Sequence, residues 1–296
     1  MVRAILYAVI LRGLAAAMTL LACKPPAPLL PDPPPPNVID PATYSSKIAG
    51  LRATLARSKV ELDTAPVLRS CNAQDARGCV RCDLATREHT AGVDPDLIDG
   101  VAIAFARYPS AVLGAAHLER VALCRQIRFE HDTADTPPAG VAMIGEHRIL
   151  VSVEQFIESP GEYFTIEQVV HHEVFHLLDH EQLGEHYTDP DHAWNALNPP
   201  GFTYRDPATD DKPPAGFVVA YATTNEREDR ATIFEYLIGQ PKRLCEIAEH
   251  DPIVAGKVST VWTRVAKITG DELLRRSAPC AARFVKATSK PRTKKR

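Results

Sequence analysis

The chain has 296 residues, 45% apolar and 24% charged, the balance of an ordinary globular protein with room for one sizeable core or two small ones. Its net charge of −3 hides an asymmetry: Arg3 and Arg12 at the start and six basic residues in 286–296 leave 24–285 with 26 basic against 37 acidic residues. So acidic a body argues against nucleic acid as a partner.

Residues 1–22 read as an export leader: a positive start, then the apolar stretch GLAAAMTLLA over 13–22, too short to span a bilayer comfortably. It ends in Leu20-Leu21-Ala22-Cys23. This ending resembles the lipobox of bacterial lipoproteins, in which a peptidase cuts before the cysteine and the cysteine is acylated. The resemblance implies lipid attachment at Cys23, a membrane partner, and a place on the bacterial cell envelope facing periplasm or exterior. An ordinary signal peptide cut nearby and an uncleaved anchor are the other readings, and all three take the body out of the cytoplasm. Residues 23–42 follow as a spacer with nine prolines between 24 and 41. Such a run favours polyproline II and would reach roughly 50–60 Å at ~3.1 Å per residue.

The remaining chain reads as one domain, 43–285, with a helical N-terminal part over 43–109 and a basic solvated tail over 286–296. Helical spacing of apolar residues runs through 44–62, whereas 63–93 is irregular and bears cysteines. Asp94-Pro95 opens a helix that runs to Tyr108, with the aspartate as N-cap and the proline at N1. Strand patterns follow at 117–124, 140–144 and 148–153, the last two a hairpin across Gly145–His147. A helix spans 166–180, where Thr165 and Gln168 form a capping box. A loop rich in Pro, Asp and Gly covers 184–216, and helices return from 225 to 285. The order of helices, small sheet, long helix, loop and helices is α+β.

Besides Cys23, six cysteines lie at 71, 79, 82, 124, 245 and 280. An even count in an exported chain predicts disulfides, and spacing does not choose among the fifteen pairings. Cys245 and Cys280 flank a helical stretch and can staple it. Cys79-Val-Arg-Cys82 has no second such pair to complete a zinc knuckle.

The chemistry concentrates in VVHHEVFHLLDHE, residues 169–181. His172 and His176 are four apart, so both imidazoles lie on one helix face and can bind one ion. Glu173 is rotated ~100° from His172, toward the side where a bound water can sit. There it can act as general base and then as proton donor to the leaving amine. Zn²⁺ at such a site brings the pKa of a bound water to about 7. Val170, Val174, Leu177 and Leu178 lie on the other side, so the helix can pack inward and bind metal outward. His171 points elsewhere, His180 continues the row toward a solvent-exposed end, and Asp179 could hydrogen-bond a ligand imidazole. A helix with solvated histidines is the plain alternative. A third ligand must come from further along the chain. The metzincin pattern wants glycine and histidine seven and ten residues after His172, where Asp179 and Gln182 stand. The gluzincin pattern instead takes a glutamate from a later helix.

Residues 216–231 read GFVVAYATTNEREDRA, with Tyr221 seven before Glu228 and Ala231 a small residue one turn after it. Together with the His-Glu-x-x-His segment, this resembles the zinc metallopeptidases related to the anthrax lethal factor catalytic domain, clearly over about 165–238 and loosely over 110–165. The resemblance implies a zincin-like fold with a small sheet, an active-site helix and C-terminal helices. It implies Zn²⁺ held by His172, His176 and Glu228, with Tyr221 donating to the tetrahedral oxyanion of a peptide or protein substrate. It further implies that 148–153 is the sheet edge that an extended substrate joins. Asp229 and Arg230 stand where lethal factor has aromatic residues, so its substrate pocket does not carry over. From the residues alone, Glu226 and Glu235 are rival ligands, Asn225 and Glu228 could form a capping box, and Tyr221 could be core. Two functional alternatives stand beside the peptidase: an inactive metal- or peptide-binding envelope lipoprotein, and a structural lipoprotein with incidental histidines.

Overall fold

The computed structural model describes residues 40–63, 67–71, 78–85, 94–131, 137–153, 165–205 and 213–285, all within one compact unit. The leader, Cys23, the spacer up to residue 39 and the tail from 286 lie outside the described residues. The fold is α+β: a mixed six-stranded sheet with the helices gathered against one face.

Helix α1 (Pro41–Ala56) starts inside the proline-rich segment, because Asp40 accepts from the Ala42 and Thr43 amides and Pro41 takes the first turn, where no donor is needed. Helix α2 (Pro95–Ala106) repeats the device with Asp94, and the short α3 (Ser110–Ala115) follows. The sheet is built from β1 (Glu61–Leu62), β2 (Val67–Cys71), β3 (Cys79–Leu84), β4 (Arg120–Phe129), β5 (Gly140–Met143) and β6 (Arg148–Ser152). The strand order is β2-β3-β4-β6-β5, and β1 adds parallel to the start of β4. β6 runs parallel to β4, and β5 antiparallel to β6. The predicted hairpin is therefore present, closed by a 3-10 turn (Ile144–Glu146) and by His147 in the left-handed region, φ 53°.

Two expectations are corrected. Residues 63–93 hold strands β2 and β3, not only irregular chain. In β3, Val80, Cys82 and Leu84 are buried while Arg81 is exposed, so the period of two was present with a cysteine as one of its apolar members. Strand 148–153 is not the sheet edge. It is flanked by β4 and β5, and among the described residues β5 forms the edge on that side. Alternation gives the sheet two buried faces: Val121, Leu123, Ile149 and Val151 meet the helices, whereas Ala122, Cys124 and Leu150 join Val80 and Cys82 in a smaller cluster behind.

Helix α4 (Ile166–Leu183) lies between the sheet and the C-terminal helices, and every residue from Gln168 to Asp179 is buried. Its capping box forms as predicted: the Gln168 amide donates to Thr165 Oγ1 at 3.3 Å and the Thr165 amide donates to Gln168 Oε1 at 3.2 Å. The 184–216 segment is less loop-like than expected. It contains a 3-10 turn (Gly184–Thr188) and the one-turn helix α5 (His192–Asn195), whose Trp194 is fully buried. Trp194 Nε1 and Tyr204 Oη both donate to Asp229 Oδ2, at 3.0 and 2.7 Å, and Lys257 Nζ completes the cluster at 2.7 Å. A 3-10 turn (Ala220–Thr223) leads into α6 (Glu226–Gly239), α7 (Pro241–His250), α8 (Pro252–Thr269), α9 (Glu272–Ser277) and a last 3-10 turn (Pro279–Phe284). Helix α6 is buried on nearly all sides and packs against α4.

The six cysteines form three disulfides: Cys71–Cys79 across the β2–β3 ladder, Cys82–Cys124 between β3 and β4, and Cys245–Cys280 from α7 to the last turn. Three such bonds mark a chain matured outside the cytoplasm. Among the described residues, no helix is long and apolar enough to cross a membrane.

Candidate metal centre

The helix period puts His172 and His176 side by side on α4, ring centroids 4.8 Å apart. Asn225 caps α6, accepting from the Arg227 and Glu228 amides at 3.0 and 3.1 Å. With the cap supplied by Asn225, the Glu228 side chain is free to leave its own helix. Glu228 Oε2 lies 2.8 Å from His172 Nε2 and 3.5 Å from His176 Nε2. One ligand atom from each of His172, His176 and Glu228 falls within 4.8 Å of the others, and among the described residues this is the one such group of three.

The donor set fits a zinc ion. Two imidazoles and a carboxylate leave a fourth position open, and tetrahedral zinc with bonds of about 2.0–2.1 Å needs ligand atoms roughly 3.3 Å apart. The 2.8 and 3.5 Å from Glu228 Oε2 to the two Nε2 atoms bracket that separation.

Glu173 lies against the edge strand β5. Burial raises its carboxyl pKa, opposed by His176, His172 and a hydrogen bond from the Ala142 backbone. Gly140 makes room for it: a Cβ there would stand 2.8 Å from Glu173 Oε1 and 2.6 Å from Val169 Cγ1. Glu228 behaves oppositely. Burial works to raise its pKa, but His176 and His172 hold it well below the carboxylate range. Burial disfavours a charged His172, yet Glu228 and Glu235 hold its pKa well above 6.5. Tyr221, in the turn before α6, is 43% exposed with its ring centroid 6.0 Å from that of His172.

The rival ligands go elsewhere. Glu226 accepts from the Asp191 amide at 2.7 Å and from Asn195. Asp179 accepts from Arg230 Nε at 2.8 Å, which locks α4 to α6 and does not engage an imidazole. Glu235 stands behind the site: its Oε2 is 2.8 Å from His172 Nδ1 and its Oε1 accepts from Gln168 Nε2 at 3.1 Å. Burial raises the Glu235 carboxyl, and the bonds from His172 and Gln168 oppose this. His171 is buried against Tyr108, Nδ1 to Oη 2.8 Å, and burial lowers its pKa to about 3, so it stays neutral.

One partner of the histidines, Tyr187, escaped the sequence reading, and another, Glu235, was read there only as a rival ligand. Tyr187 Oη lies 3.1 Å from His176 Nδ1, and nothing in a 3-10 turn beyond the helix signals that contact. Glu235 carried a signal: it is seven residues after Glu228, two helical turns, and so shares its face of α6.

No family model and no curated protein matches the chain. A solved structure described as "a putative zinc-binding metallo-peptidase from Bacteroides caccae" aligns with it at 14% identity, covering 82% of this chain and 92% of that one. The superposition is loose, TM-score 0.38, and the metal-centre reading stands on the side-chain geometry.

Proposed function

We propose that this chain is an exported zinc metallopeptidase of the gluzincin kind, with zinc held by His172, His176 and Glu228. The observation that carries the reading is the convergence of two imidazoles from α4 and one carboxylate from α6, with Glu173 beside them. Bound there, zinc supplies Lewis acidity and lowers the pKa of a coordinated water toward 7.

The chain's own groups do the rest. Glu173 takes a proton from the attacking water as the carbonyl carbon gains its new C–O bond. When the C–N bond breaks, the same carboxyl returns the proton to the departing amine nitrogen. Tyr221 donates a hydrogen bond to the oxyanion that forms between those steps. The side of β5 that pairs with no strand among the described residues offers main-chain groups to an extended peptide, and Gly140 and Ala142 bring that strand against Glu173. Cys23, acylated after cleavage of the leader, would hold the domain to the cell envelope.

Turnover of a peptide library by the purified full chain, with chelator and with zinc restored, tests the reading. Cleavage that stops with chelator and returns with zinc is expected. Zinc uptake without cleavage of any peptide would leave the binding alternative, and absence of zinc uptake would remove both.

A further inference from the structure

We infer that Gln168 and Glu235 are positioning residues that hold a hydrogen on His172 Nδ1, so that Nε2 is the nitrogen given to a metal, an inference that rests on the zinc reading above. The argument starts from a group whose role is fixed. A backbone amide can only donate, and the Thr165 amide faces one end of the Gln168 side chain at 3.2 Å. That end is therefore the amide oxygen. Gln240 Nε2 donates to the same oxygen at 2.8 Å. The NH₂ end of Gln168 must then point at Glu235 Oε1, 3.1 Å away, and that oxygen accepts. The other carboxylate oxygen, Oε2, meets His172 Nδ1 at 2.8 Å, and a carboxylate there requires Nδ1–H. A neutral imidazole with hydrogen on Nδ1 has its lone pair on Nε2.

The arrangement matters because an alternative is close at hand. His172 Nε2 is 2.8 Å from Glu228 Oε2. By the same rule the Glu228 carboxylate requires a hydrogen on Nε2, so without a metal the ring donates from both nitrogens. A metal would replace the hydrogen on Nε2, while Glu235 retains the one on Nδ1 from the far side of the ring. Gln168 and Glu235 are 1% and 0% exposed, so water does not replace either partner. Gly239 permits the approach, since a Cβ there would stand 3.3 Å from Gln168 Cγ. The helix cap, the ligand face of α4 and the end of α6 are thus joined in one chain of donors and acceptors.

The test uses the purified full chain, zinc alone as probe, chelator competition for affinity, and imidazole ¹⁵N spectra for the tautomer. In the zinc-loaded parent, His172 should carry hydrogen on Nδ1 and bind zinc through Nε2. Glu235→Gln should weaken zinc about 10–100-fold, the usual range for a lost partner behind a metal-binding histidine. Gln168→Met should weaken it in the same direction, and the double variant should be no weaker than Glu235→Gln alone, because both act through one bond. A parent that binds zinc through His172 Nδ1, or a Glu235→Gln protein that binds zinc as tightly as the parent, would overturn the inference while leaving the zinc site standing. A parent that takes up no zinc would overturn both. The parent spectrum decides even if a variant fails to fold.

Discussion

Glu173 and Glu228 both feel His172 and His176, yet their surroundings push their acidities in opposite directions: burial raises Glu173, whereas two imidazoles draw Glu228 down. One carboxyl is suited to exchange a proton and the other to remain an anion, which is the division of labour a base and a ligand require. Glu173→Gln should therefore keep zinc and lose about 10²–10⁴-fold in turnover, read as metal content beside kcat. A variant that loses its metal, or cleaves at the parental rate, would sink that assignment. Tyr221→Phe removes only a hydroxyl at an exposed position and should keep zinc while slowing turnover. Gly140→Ala tests the edge strand. The added carbon would stand 2.8 Å from Glu173 Oε1, so kcat should fall while zinc affinity is unchanged. An unimpaired kcat would show that β5 yields at no cost to the base.

Between elements, the centre depends on how α4 and α6 are held together. Arg230 and Asp179 are each 1% exposed and bridge the two helices, with Arg230 Nη2 and Asp179 Oδ2 2.8 Å apart. Arg230→Met would strand Asp179 in the interior and should cost about 3–5 kcal/mol in urea unfolding, as breaking a buried pair commonly does. A loss under about 1 kcal/mol would mean that the carboxylate finds water or another donor. At this scale the sequence was partly legible. The capping box and the i, i+4 histidines are local patterns, fixed by helix geometry, and they appear where the spacing puts them. Strand β3 was missed because Cys82, read as a bridging residue, is also a buried member of its alternation, and β2 beside it has its exposed Cys71 bridged to Cys79. The edge was misplaced because strand order is a long-range property, and the pairing of β6 with both β4 and β5 leaves no local trace. Asp229 and Arg230, set apart in the sequence as departures from lethal factor, turn out to hold Lys257 and Asp179. Their charges are explained by packing.

For the molecule as a whole, three disulfides point to one biography, that of a domain matured outside the cytoplasm. The bridge from Cys245 to Cys280 closes 35 residues around α8, so the paired serine variant should lose about 2–4 kcal/mol of stability, measured by denaturant unfolding. Stability equal to the parent would show that the helices around α8 need no staple. The central claim is narrower than that biography. It is that one metal ion joins α4 to α6 through His172, His176 and Glu228. Anomalous diffraction at the zinc edge from crystals of the zinc-loaded domain tests it most directly. The account predicts one strong peak about 2.0–2.2 Å from both Nε2 atoms and from one Glu228 oxygen, with Glu235 on the far side of His172. No peak between those three side chains, or a peak held by Glu226 or Glu235 with Glu228 turned to solvent, would contradict it.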